Sequence, residues 1–379
     1  GLVLALLWYD VHRREQERER QESGHDRYVA ERHLAERHLA ERPVAGIEED
    51  QDSSPIATSP PRERGPEPIL PRANRDTPSD PTAKFDNGQK AFWGDGVPQS
   101  DAEALRWFRA AAEQGHAEAR NYLGAMYADG RGVPRNYEEA ANWYRQAADQ
   151  GFALAQFNLG FLYQNGWGVN KDEAEAVRWY HKAAAQGLSN AENGLGYMYE
   201  NGIGVATNLE EAVRWYRKAA DQGYVTAQYN LGVLYYNGRG VEKNDAEAAR
   251  WYRKAADQGH ASAQDNLGGL YEQGLGVVQN HAEAVRWYRK AAELNYSVAQ
   301  HNLGVMYQNG QGVPQDYAEA ARWYRKAAEL EHAGAQNNLG TLYELGKGVP
   351  QDLNEAKLWY QKAADQGDES ARQNLQRLG

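Results

Sequence analysis

The dipeptide Trp-Tyr, or Trp-Phe in its first copy, falls at Trp107, Trp143, Trp179, Trp215, Trp251, Trp287, Trp323 and Trp359, each 36 residues after the last. A period this strict, set by the largest side chain, requires one helical unit stacked on copies of itself. A chain of 379 residues could hold two or three ordinary domains. Here everything after about residue 80 reads as one array, so function has to be sought in what differs between copies.

Composition narrows the alternatives. The chain has no Cys, which removes disulfides and thiolate metal sites and leaves the compartment open. Its formal net charge of -11 argues against a nucleic-acid partner, because readers of nucleic acid carry a basic face.

The first eighty residues are a different kind of chain. Gly1 to Leu7 is apolar and is followed by Trp8 and Tyr9, the order of a membrane helix leaving the bilayer through its aromatic belt. At about 1.5 Å per residue this stretch covers less than half of a roughly 30 Å hydrocarbon core. Residues 1–9 are therefore expected to be the C-terminal end of a truncated membrane anchor. The rival reading is a signal peptide, although no small-x-small cleavage pattern follows Leu7.

Residues 10–42, dense in Arg and Glu, suit a charged juxtamembrane helix; the near-repeated pentads place His33 and His38 five apart, off a common face, so no metal pair is expected. Residues 43–80, with Pro55, Pro60, Pro61, Pro66, Pro68 and Pro71, suit a disordered linker. Arg13, Arg14, Arg18 and Arg20 favour a cytoplasmic array, while the interleaved Glu15, Glu17 and Glu19 leave topology open.

Seven complete repeats run over residues 116–367, preceded by a degenerate unit at 81–115 and followed by a short helix at 368–379. In each, a helix A, a loop and a helix B are expected. Helix B carries an apolar stripe at i, i+3, i+4, i+7 and i+8, for example Ala140, Trp143, Tyr144, Ala147 and Ala148. Helix A holds a constant glycine, Gly124, Gly160, Gly196, Gly232, Gly268, Gly304 or Gly340. Each costs about 1 kcal/mol relative to Ala in a helix interior. A cost met in every copy implies a steric need, met where helix B of the same or the preceding unit crosses against a Trp or Tyr ring.

The loop reads Gly130-Arg131-Gly132-Val133, Gly166-Trp167-Gly168-Val169 and so on to Gly346-Lys347-Gly348-Val349. It lacks the longer glycine patterns of phosphate-binding loops, and no strand precedes it. The reading kept is a helix C-cap with positive φ, then Val in the groove and an Asn or Asp capping helix B.

The residues Ala227, Asn230, Leu231, Gly232, Tyr235, Gly238, Gly240 and Val241, then Glu247, Ala248, Trp251, Tyr252, Ala255, Ala256 and Gly259, form a pattern that resembles the Sel1-like repeat, a relative of the tetratricopeptide repeat. The resemblance covers roughly Ala83 to Gly379. It implies an all-α fold: a right-handed α-solenoid superhelix of 36-residue antiparallel helix pairs, with helix A lining the concave side. The role implied is that of a protein-interaction scaffold or adaptor, in bacteria often exported, with no chemistry of its own. The chain departs from the pattern at its ends, where Asn87 replaces Leu, Ala91 replaces Tyr and Gln376 replaces Gly. Polar terminal units of this kind keep an open stack soluble, so both read as caps.

Counting Ala119 as position four of its repeat, positions six, ten and thirteen lie roughly opposite the constant stripe of helix A and vary between copies. Under the implied geometry Phe157, Phe161, Tyr197, Tyr229 and Tyr236 form an aromatic cluster, with Glu200, Glu272 and His301 on the same face, as a partner-binding surface. The alternative is that neighbouring helices cover these aromatics. The acids favour a partner with some positive charge.

His116, His260 and His332 share the first repeat position and are too far apart to join one site, and no nucleophile, base and orienting group come together. No enzyme activity, cofactor or metal is expected. Two functions remain open. One is a scaffold presenting a concave groove to a peptide or protein from a bacterial inner membrane; the other is a periplasmic or secreted effector acting free of the membrane.

Overall fold

The computed structural model describes residues 79–379. The expected anchor end, charged helix and most of the linker, residues 1–78, lie outside the described residues. The chain divides into two compact units, the first ending at Asp172 and the second running from Glu173 to Gly379. The described residues form seventeen α-helices and no strand. In the first unit these are α1 (Pro81–Trp93), α2 (Asp101–Ala112), α3 (Ala117–Asp129), α4 (Tyr137–Asp149) and α5 (Ala153–Asn165). The second unit begins with α6 (Glu173–Ala184), α7 (Ser189–Asn201), α8 (Leu209–Asp221), α9 (Val225–Asn237), α10 (Asp245–Asp257) and α11 (Ala261–Gln273). It continues with α12 (His281–Glu293), α13 (Ser297–Asn309), α14 (Tyr317–Glu329), α15 (Ala333–Leu345), α16 (Leu353–Asp365) and α17 (Glu369–Leu378). Odd-numbered helices are the A helices and even-numbered ones the B helices. Within each unit every helix packs on its chain neighbours, which makes a repeat solenoid of antiparallel pairs.

Local chemistry sets the boundaries. Asn244 caps α10 by accepting from the backbone N–H groups of Ala246 and Glu247 at 3.1 and 3.0 Å, and Asp245 and Glu247 put negative charge at the positive end of the helix. Helix α9 stops at Gly238, whose φ of 65° is the left-handed cap expected from the sequence.

The second loop glycine has another task. A Cβ on Gly240 would strike the carbonyl of Leu209, the first residue of α8 in the preceding repeat. Gly276 meets Asp245, Gly312 meets His281 and Gly348 meets Tyr317 in the same way. The sequence reading assigned both glycines to the turn; the second is instead the seat on which one repeat rests against the previous one.

The constant glycine of helix A meets a tyrosine of its own repeat. A Cβ on Gly232 would lie 2.6 Å from Tyr252 Cδ1, and one on Gly304 the same distance from Tyr324 Cδ1. The crossing partner is therefore the Tyr of the Trp-Tyr pair. The Trp packs backwards: Trp287 of α12 closes a core built from α8 to α11, and Trp323 of α14 closes one built from α12 and α13. Lysines cover the indoles, with Lys254 Nζ 3.9 Å from the centroid of Trp251 and Lys290 Nζ 4.1 Å from that of Trp287.

A polar bond repeats with this packing. Arg289 donates to Tyr307 Oη of the next repeat at 2.5 Å, and Arg217 to Tyr235, Arg253 to Tyr271 and Arg325 to Tyr343 make the same contact. His181 replaces the Arg in one copy, its Nε2 3.3 Å from Tyr199 Oη.

A candidate partner-binding face on the A helices

Position six is a joint between repeats. Tyr229 of α9 stacks on His260 with ring centroids 4.6 Å apart and planes at 19°, and lies 5.9 Å from the ring of Tyr252. His301 of α13 stacks on His332 at 4.7 Å and 17°. Where position six is polar, the next repeat's Asn donates to it: Asn158 to Asn121 at 3.0 Å, Asn302 to Asp265 at 2.9 Å and Asn374 to Asn337 at 3.0 Å. Residues at this position are thus covered by the adjoining repeat, through a ring at its first position or through its Asn. The alternative reading of position six, cover by a neighbouring helix, describes Tyr229.

Position thirteen holds a helix B hydroxyl. Tyr216 Oη donates to Glu200 at 2.9 Å, Tyr288 Oη to Glu272 at 2.6 Å and Tyr360 Oη to Glu344 at 2.7 Å. Two of these acids also meet a cation: Arg239 lies 2.9 Å from Glu200, and Arg377 pairs with Glu344 at 2.5 Å. The Arg377 contact holds the Glu344 carboxyl below the usual carboxylate range. Tyr236, at the same position, has Lys243 Nζ 5.5 Å from its ring.

All eight residues singled out from the sequence are partly buried. Tyr197, Tyr229 and Tyr236 pack against one core cluster in the second unit. Glu200 adjoins them through Tyr216, while Glu272 belongs to the next repeat and His301 to the joint after it. Phe157 and Phe161 are on α5 in the first unit.

Phe161 has a neighbour the sequence reading missed. Trp167, from the Gly-x-Gly loop, lies 5.5 Å from Phe161 and 5.0 Å from Tyr137, and is 40% exposed. The residue between the two glycines varies through Arg131, Trp167, Ile203, Arg239, Leu275, Gln311 and Lys347. The copy-to-copy comparison applied to helix A would have found it.

Three helix A starts are capped by histidine. Nδ1 of His116, His260 and His332 accepts from the N–H of Ala119, Ala263 and Ala335 at 3.2, 3.2 and 3.1 Å. Burial pushes His260 down to about 4. Burial pushes Asp265 up to about 6, against the pull of Asn302. Among the described residues no group of three His, Asp or Glu side chains is placed to hold a metal ion. No helix of the described residues is long and apolar enough to cross a membrane.

The profile of the Sel1 repeat matches eight consecutive stretches, residues 91–116, 117–152, 153–188, 189–224, 225–260, 261–296, 297–332 and 333–368. Among solved structures the chain is similar to a protective antigen present in uropathogenic Escherichia coli strains that displays an SLR fold, at 39% identity and TM-score 0.74, over 78% of this chain and 64% of that one. It is similar to a Sel1 repeat protein from Oxalobacter formigenes at 36% identity and TM-score 0.62, over 79% of this chain and 86% of that one. The chain thus spans less than two thirds of the length of the Escherichia coli antigen. No curated protein matches it.

Proposed function

The chain belongs to the Sel1 repeat family, whose members generally serve as protein-interaction scaffolds, and from that premise we propose that it binds a peptide or protein partner along its A helices. One observation carries this reading. Positions ten and thirteen of α7, α9 and α11 present Tyr197, Glu200, Tyr236 and Glu272, partly exposed and at positions that vary between copies, while the Ala, Leu and Tyr residues behind them stay constant. Large amphipathic rings beside carboxylates suit a partner that offers apolar and basic side chains.

Tyr197 and Tyr236 are the informative positions, since Tyr229 and His301 hold repeats together. The test is capture of partners by the full chain, set against Tyr197→Ala with Tyr236→Ala and, separately, Phe161→Ala with Trp167→Ala. We expect the tyrosine pair to weaken a specific partner tenfold or more, about 1.4 kcal/mol or above. If every specific partner stays bound to both variants while their circular dichroism is unchanged, the face is misassigned.

We place the array at a bacterial membrane, held by the apolar residues 1–9 through the charged and Pro-rich segments that follow. A second reading, a periplasmic or secreted protein free of the membrane, draws support from the relative described as a protective antigen. Fractionation separates the two: an anchored chain stays with membranes after a high-salt wash, and a free one leaves with the soluble fraction.

A further inference from the structure

We infer that the joint between the repeats beginning at Tyr296 and His332 is an acid-sensitive contact, in which the stacked His301 and His332 rings hold the start of α15 only while both are neutral. The geometry makes protonation costly in three ways. His332 Nδ1 is the acceptor that caps α15, taking the Ala335 N–H at 3.1 Å. A neutral ring that accepts at Nδ1 carries its proton on Nε2, so a second proton must go to Nδ1 and abolish the cap. The charge would then sit at the positive end of the α15 dipole. It would also lie against the His301 ring, at a centroid distance of 4.7 Å.

The surroundings offer no compensating anion. His301 faces the Tyr324 ring from α14 at 5.7 Å, His332 and Asn338 from α15, and Asn302 from its own helix α13. None of these carries negative charge. The amide nitrogen of Asn338 is 3.1 Å from His301 Nε2, and an N–H presented there finds an acceptor only in the unprotonated ring nitrogen. Glu331, beside His332 in the chain, is exposed to solvent.

Burial and the neighbouring imidazole lower His301 to about 4, and burial lowers His332. Folded values below the free value mean that the unfolded chain binds more protons between the two. The joint's contribution is therefore complete above about pH 6.5 and is lost as pH falls toward 4. His116 and His260 also cap helices through Nδ1, but they stack on Phe85 and Tyr229, so among the described joints only this one sets two imidazoles face to face. Elsewhere position one is Phe152, Leu188, Tyr224 or Tyr296 with no side-chain cap, and Asp368 caps α17 as an anion.

The experiment uses the full chain and the double variant His301→Phe, His332→Asn, which keeps an aromatic ring at 301 and a capping acceptor at 332 but cannot titrate. NMR should show both histidines of the wild type titrating below the ordinary value near 6.5, His301 toward about 4. Between pH 7.5 and pH 5.0 the double variant should lose measurably less Tm than the wild type, and the first turn of α15 should stay better protected from hydrogen exchange. Titration of both rings near 6.5, or an equal loss of Tm in the two proteins, overturns the inference. If the variant does not fold, the wild-type titration decides alone.

Discussion

The Tyr252 ring packs closely against Gly232, and the contact sets an unusual sign for a glycine-to-alanine change. In an exposed helix interior such a change gains up to about 1 kcal/mol from propensity. Here the new methyl meets a buried ring at 2.6 Å, so Gly232→Ala is expected to cost roughly 1–3 kcal/mol in urea unfolding, and a gain would refute the steric account. Asp265 offers the opposite case. Its carboxyl is 8% exposed and pushed up to about 6, so the folded state holds a proton that the unfolded chain has released. Stability from this group is fully present below about pH 4 and is lost as pH rises toward 6. Asp265→Asn, which copies the Asn158 to Asn121 bond of an earlier repeat, should stabilise the protein at pH 7 by on the order of 1–2 kcal/mol. The gain should vanish near pH 4; one that persists there would show that charge is not its source.

Between elements, what matters is how a loop and two helices from neighbouring repeats meet. Gly240 rests on the carbonyl of Leu209, and no side chain fits there without parting the repeats. Gly240→Ala is therefore expected to destabilise by about 2 kcal/mol or more and to broaden the urea transition as coupling between neighbours weakens. A change within about 0.5 kcal/mol would show that the seat is slack. Position six can be tested by exchange instead of deletion. Tyr229→Asn should be tolerated better than Tyr229→Ala, because Asn266 follows at the place from which other copies donate to an Asn at position six. Equal losses in the two variants would dissolve the pairing rule.

For the molecule as a whole, each repeat in the second unit touches its chain neighbours and little else, so its stability is close to a sum of repeat terms and neighbour terms. Excision of residues 224–259 removes one period and brings Asn193 up to His260 and Asn266, the latter an Asn in the place of its present partner Asn230. The shortened chain should keep the same helicity per residue and unfold with a proportionately smaller denaturant slope. Loss of helicity would mean that this copy does more than pass contacts along. The net charge of -11 also matters at this scale. Binding of a basic partner should slow as salt rises toward 0.5 M, where the Debye length falls to about 4 Å, and a salt-independent on-rate would point to an apolar partner.

Much of the architecture was legible in the order of residues alone. A Trp every 36 places, a glycine at a fixed point in each A helix and a Gly-x-Gly before each B helix leave one plan open, because a repeated steric demand can be met only by a repeated contact. The helix pairs and the left-handed caps followed from propensity and spacing. The owner of each contact did not. That the helix A glycine faces Tyr252 and not Trp251, that Gly240 seats on Leu209, and that Tyr229 leans on His260 depend on which surfaces meet across a joint. The candidate face suffered most from this. Copy-to-copy variation marks a residue whose neighbour is not constant, and a partner molecule and a variable residue of the adjoining repeat leave the same trace in one sequence. Only packing in three dimensions separates them, since residues 31 apart along the chain, such as Tyr229 and His260, share no local term that could announce their contact.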